Sequence, residues 1–156
     1  DGGVVISQSL AIIEYLEETH PGMPLLPVSP GERAQVRAMA QLIACDIHPL
    51  NNLRVLQYLK NELKLDDVSL SHWYQHWIAE GFAALEKLVQ RHGVPGKTCY
   101  GQQITMADVC LVPQVYNARR FNVDLATYPA LSAVTQHLES LSAFAQAAPE
   151  NQPDAV

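Results

Sequence analysis

Charge is scarce in this chain. Of 156 residues only 17% are charged, against about 25% in an average soluble domain. The balance is acidic, with 10 Lys and Arg against 16 Asp and Glu, a net charge of −6. Without a lysine or arginine cluster there is no phosphate-tracking surface, which argues against nucleic-acid binding. Cysteine is also sparse. Cys45, Cys99 and Cys110 are widely spaced and form no Cys-x-x-Cys pair, which argues against a disulfide framework or a thiolate zinc site. Free thiols point to a reducing, cytoplasmic compartment. No apolar run approaches the roughly 20 residues that a transmembrane helix needs, and no internal repeat is present. What the chain does have is apolar material, 48% of its residues, enough to pack the core of one ordinary domain.

The chain reads as mainly α. Asp1-Gly2-Gly3 is a turn signal and Val4-Val5-Ile6 a β-branched run, which predicts a short strand. Ser7 or Ser9 can cap a helix running to about Thr19, with Leu10, Ile13 and Leu16 beside Ala11, Ile12 and Tyr15 as a broad buried face. His20-Pro21-Gly22 ends it. Met23-Pro24-Leu25-Leu26-Pro27 is too rich in proline for regular structure and reads as a linker packed by its leucines. A long helical stretch follows from about Gly31 to Leu63, kinked between residues 45 and 49 by Pro49. Asp66-Asp67-Val68-Ser69 is a break and a cap. The next helix, about Leu70 to His92, turns Trp73, Trp77, Ile78, Phe82, Leu85 and Leu88 or Val89 inward. Thr105 and Asp108 form a capping box, with Ile104 and Val109 placed as a hydrophobic staple. The helix behind them, Met106 to about Arg120, is apolar almost all round and belongs at the centre of a bundle. Tyr128-Pro129 opens one or two more helices to about Ala147, and the tail from Pro149 is expected to be loose.

Few side chains invite chemistry. His72, His76 and Glu80 share a helical face, which is one way to build a metal site; the simpler reading is a polar face opposite Trp73 and Trp77. Cys45 lies one turn from His48, but nothing marks it as a low-pKa thiol, so it reads as a small buried hydrophobe. His48, Asn51, Asn52 and Arg54 gather beside the proline kink, equally consistent with a cleft wall and with an ordinary polar patch. Arg119 and Arg120 leave the most apolar helix at its C-terminus. Arg119 suits the helix dipole, and Arg120, beside Phe121, is the better candidate for a planar, bidentate carboxylate contact. Gln8 and Ser9 stand where a helix begins, and free amides there hold anions.

Together these segments resemble the zeta class of glutathione transferases. Val5-Ile6-Ser7-Gln8-Ser9-Leu10-Ala11-Ile12-Ile13-Glu14-Tyr15-Leu16-Glu17-Glu18 resembles the strand and helix that close the thioredoxin-like domain of that class. The likeness continues through Arg33-Ala34-x-Val36-Arg37, through Asp46-Ile47-His48-Pro49-Leu50-Asn51-Asn52-Leu53-Arg54-Val55-Leu56, and through Gly81-Phe82-x-Ala84-Leu85-Glu86. It then covers Thr105 to Val115, Val123-Asp124-Leu125-x-x-Tyr128-Pro129 and Gln152-Pro153-Asp154. The fold implied is a glutathione-transferase C-terminal helical bundle preceded by the last strand and helix of a thioredoxin-like domain. The boundaries follow: residues 1–22 as the remnant of the glutathione-binding domain, 23–30 as linker, 31–148 as the helical domain, and 149–156 as flexible tail.

The resemblance implies glutathione as cofactor, held by Gln8, Ser9, His48 and Asn52. It implies a small dicarboxylate substrate clamped by Arg54 and Arg120, no metal, a cytoplasmic location and a homodimer, with neither nucleic acid nor membrane as partner. The implied activity is cis–trans isomerisation of maleylacetoacetate to fumarylacetoacetate in tyrosine and phenylalanine catabolism. In that chemistry a thiolate adds to the activated double bond, the new single bond rotates, and the thiolate leaves. The class carries its thiolate-activating residue in a Ser/Cys-rich turn early in the thioredoxin-like domain, which has no counterpart here. No catalytic residue is therefore assigned, and this chain alone is expected to be inactive. Maleylpyruvate is the rival substrate. Readings of other kinds are a non-catalytic helical dimerisation or binding domain, which would not be retained on a glutathione matrix, and a broad detoxifying transferase, which would act on halogenated acids without isomerising.

Overall fold

Proline, glycine and paired aspartates punctuate the chain, and helices fill the intervals. The computed structural model describes residues 1–20, 22–153 and 155. Helix α1 spans Ser9–Thr19. Neither serine caps it: the N-cap is Gln8, whose φ of 76° lies outside the usual range of L-residues and whose side chain makes no capping bond. The strand expected at Val4 to Ile6 does not form. A strand exists through its ladder, and the only β-type pairing among the described residues is an isolated bridge between Gly93 and Gly101. The broad buried face of α1 is also half open. Leu10 and Ile13 pack against the core, while Ile12 and Leu16 are exposed. The predicted stop at Pro21 lies outside the described residues.

The linker acts as a brace. The Glu17 carboxylate accepts the amides of Leu25 at 2.8 Å and Leu26 at 3.2 Å. The Leu25 carbonyl in turn accepts the Met106 amide at 3.0 Å, and Leu26 is buried. An ion pair from Arg37 Nε to Glu14 Oε1 at 2.6 Å adds a second tie.

The long helix expected from 31 to 63 is broken. Helix α2 (Pro30–Gln41) widens into a π-helical turn at Leu42–Ile47, tightens into a 3₁₀ turn at His48–Asn51, and resumes as α3 (Leu53–Asn61). Pro49 has no N–H to continue the α-ladder. Asn52 leaves the helix altogether at ψ 143°, and its Oδ1 caps α3 by accepting the Arg54 amide at 3.1 Å.

Helix α4 (Asp67–His92) is capped by Asp66, which accepts the Ser69 amide at 2.8 Å. Its inward phase is offset from the one read in the sequence: Tyr74, Ile78, Phe82, Leu85 and Val89 are buried, whereas Trp73 and Trp77 are half-buried. Helix α5 (Met106–Arg120) begins and ends where its pattern predicts, and it packs between α2 and α6 (Pro129–Glu139). The short α7 (Ser142–Ala147) follows. The tail is tied back rather than loose as far as Gln152. Asn151 donates to the Ala145 carbonyl, and Gln152 donates to those of Gln146 and Ala148. Asp154, part of the expected tail motif, lies outside the described residues. Core side chains from α2, α4, α5 and α6 form one cluster.

Candidate functional site

The broken helix presents the first group of candidates. His48 opens the 3₁₀ turn and is exposed, Asn52 is half-buried, and Arg54, the second residue of α3, is exposed. With its oxygen capping α3, the Asn52 side chain has its carboxamide nitrogen left to donate outward. Asn51 is buried and points away from this surface, donating from Nδ2 to the Tyr74 carbonyl at 3.3 Å. The kink is held from α4 as well, by Trp73 Nε1 donating to the Leu50 carbonyl at 2.8 Å.

Arg120 stands at the far end of α5. That helix closes with Asn122 at φ 56°, its amide on the Arg119 carbonyl and the Val123 amide on the Ala118 carbonyl at 3.0 Å, the paired bonds of a Schellman turn. The adjacent arginines have different roles. Arg119 forms a two-pronged pair with Glu139 at 2.5 and 3.2 Å, so its partner is this carboxylate. Arg120 is exposed, makes no ion pair among the described residues, and places its guanidinium 6.0 Å from the Tyr116 ring centroid. Its charge also reaches Tyr74: burial pushes that phenol up, and Arg120 acts in the opposite direction.

Gln8 and Ser9 form the third group, exposed at the start of α1. The Gln8 carbonyl accepts the Ile12 amide at 3.0 Å, which leaves the first amides of the helix to face outward. His72, His76 and Glu80 are exposed along α4, and Cys45 is exposed rather than buried as its sequence context suggested. An apolar groove of about 860 Å³ lies elsewhere, between the linker, α5 and α7, lined by Leu25, Ile104, Val109, Val112, Tyr116 and Phe144 among others. None of the six candidate residues lines it.

No protein-family model matches the chain. Individual relatives do. A protein named probable maleylacetoacetate isomerase from Vibrio cholerae is 54% identical over 155 residues, covering 99% of this chain and 71% of the relative. The chain belongs to the maleylacetoacetate isomerase family. A solved maleylpyruvate isomerase, described as a bacterial glutathione S-transferase in zeta class, superposes at a TM-score of 0.95 with 45% identity, over 99% of this chain and 73% of its own. A maleylacetoacetate isomerase from Methylobacterium extorquens, solved with malonate and glutathione bound, superposes at 0.93 with 36% identity, over 100% and 73%.

Within the maleylacetoacetate isomerase family frame, the structure groups His48, Asn52 and Arg54 on one broken helix. Arg120 stands at the end of α5 and Gln8 and Ser9 at the start of α1. Sequence reading missed the side chains of α4 that tie to these segments, Trp73, Tyr74 and Gln75. The helical pattern turns Trp73 inward, whereas the bond it makes to the Leu50 carbonyl depends on where the kink sits, which no local pattern carries.

Proposed function

We propose that this chain supplies binding and orienting residues for glutathione-dependent cis–trans isomerisation of maleylacetoacetate to fumarylacetoacetate. The observation that carries the reading is the state of two arginines. Arg54 and Arg120 are exposed and free of ion pairs among the described residues, as is Arg91 in the last turn of α4, while Arg119 and Arg37 are paired. Two available guanidinium groups suit a dicarboxylate, each able to take one carboxylate in a planar fork.

Glutathione fits the donor set on the chain. It carries two carboxylates and an amide backbone, and the exposed amides of α1, the Ser9 hydroxyl, the free nitrogen of Asn52 and the His48 ring are donors for such groups. When bound it supplies the thiol that adds to the substrate double bond. The chain's own residues bind and orient: Gln8 and Ser9 hold the γ-glutamyl end, His48 and Asn52 complete the site, and Arg54 and Arg120 fix the substrate's carboxylates. Fixing both ends favours rotation about the central bond over escape. Residues 1–22 then serve as the glutathione-binding part and 31–148 as the helical domain. A homodimer and a cytoplasmic location go with the same reading, and a monomer at micromolar concentration in sedimentation would remove the first.

The substrate is tested by assaying turnover with glutathione, using the chain alone and grafted onto the part of the Vibrio cholerae relative that the match leaves out. Faster turnover of maleylacetoacetate by the graft is expected. A preference for maleylpyruvate, the substrate named for the zeta-class structure, would overturn the assignment in favour of the second reading.

A further inference from the structure

Three consecutive residues of α4 touch both segments that carry the candidate arginines. Trp73 Nε1 donates to the Leu50 carbonyl at 2.8 Å, and the Tyr74 carbonyl accepts Asn51 Nδ2 at 3.3 Å. Both bonds hold the broken helix that leads into Arg54. On the other side the Tyr74 ring stacks on Phe121, with centroids 3.5 Å apart and planes 12° apart. Gln75 Nε2 donates to the Phe121 carbonyl at 2.8 Å. Successive side chains leave a helix about 100° apart, so a single turn can serve neighbours on two sides. Phe121 caps α5, and its carbonyl lies beyond the Schellman bonds, so Gln75 takes up an acceptor that the helix end does not satisfy itself.

We propose that Gln75 is a positioning residue for Arg120, and that the turn Trp73–Gln75 sets the spacing between the two halves of the site. The inference rests on the proposed roles of Arg54 and Arg120. Gln75 touches no substrate; it fixes the peptide that follows Arg120 and so the direction in which the guanidinium leaves α5. Trp73 does the corresponding work for the His48 side.

Titration calorimetry of the whole chain with malonate and, separately, with glutathione tests this. Arg120→Ala is expected to abolish malonate binding. Gln75→Met, of similar length but without a donor, is expected to weaken malonate about fivefold to tenfold, the size of one lost hydrogen bond, and to leave glutathione affinity unchanged. Gln75→Lys, which restores an N–H donor, should return malonate affinity to within about twofold. Trp73→Phe, which loosens the segment carrying His48, Asn52 and Arg54, should by contrast weaken both glutathione and malonate. Glu86→Gln, away from the site, should lower Tm without moving either affinity. Wild-type malonate affinity in Gln75→Met, with binding lost in Arg120→Ala, overturns the positioning role alone. Equal weakening of both ligands in Gln75→Met also overturns it, since that reports general destabilisation. If wild type fails to bind malonate, or Arg54→Ala and Arg120→Ala both bind it normally, the reading of the site falls and the inference with it.

Discussion

Asp108 has no exposure to solvent and accepts three donors: the Cys99 amide at 2.7 Å, the Thr105 amide at 2.8 Å and the Thr105 hydroxyl at 2.9 Å. It ties the loop before α5 to the helix start. Asp108→Ala strands two amides in the interior and is expected to destabilise the fold by about 3 kcal/mol, read as a lower midpoint in urea with an unchanged slope. The cysteines differ as sharply. Burial, with Cys45 nearby as a smaller cause, pushes the Cys110 thiol up from 9.0 to about 11, and burial together with Asp108 raises Cys99 well above its ordinary range. Iodoacetamide at pH 8 should therefore label the exposed Cys45 alone, with all three labelled in urea, counted by mass spectrometry. The folded state holds the Cys110 proton more tightly than the unfolded state does. Its contribution to stability is thus complete below pH 9.0 and lost as pH rises toward about 11. Tm should fall across that window, and Cys110→Ala should flatten the early part of the fall. Tyr74 and Tyr128, also raised mainly by burial, add to it at higher pH.

At the scale of elements, the kink is shaped as much by its neighbour as by its own proline. Gly81 of α4 faces Ile47, and an added Cβ would overlap that side chain's γ and δ carbons. Ile47 is itself buried in the core. Gly81→Ala is expected to cost about 1–3 kcal/mol by overpacking and to shift the His48 ring resonances in NMR spectra, because the π-helical turn must move. Glu86 gives a second cross-element device. Its buried carboxylate accepts the Ala130 amide at 2.9 Å and the Leu131 amide at 3.0 Å, capping α6 from α4. Glu86→Ala should destabilise by about 2–3 kcal/mol, with the loss of hydrogen-exchange protection greatest in α6. These features mark the limit of what one sequence discloses. The capping box at Thr105 and the span of α5 were legible because both are local. The phase of α4 was not, since Trp73, Tyr74 and Trp77 all fit an apolar stripe and only the approach of Phe121 selects Tyr74. The cap of α6 was invisible because its acceptor lies more than 40 residues away. Among the site residues, Arg119 and Arg120 could be told apart from sequence in rank, but Glu139 supplies the physical reason.

For the molecule as a whole, a helical core built on α2, α4, α5 and α6 carries α1 on its edge. No residue of α1 is fully buried, yet the helix bears Gln8 and Ser9. Its orientation rests on Glu14, Glu17 and the linker. Glu17→Ala should therefore raise hydrogen exchange across residues 9–19 while leaving α4 and α5 protected, and should weaken glutathione binding with little change in Tm. The converse result, a lower Tm with α1 unchanged, would place the brace in the core instead. Because that brace is a carboxylate on two backbone amides, and α1 itself packs only Leu10 and Ile13 against the core, its strength can change without disturbing the core. The molecule has a weak joint at its edge, and it should yield there first. Dilute protease ought to nick the stretch between α1 and α2 while the helical core survives as a large resistant fragment.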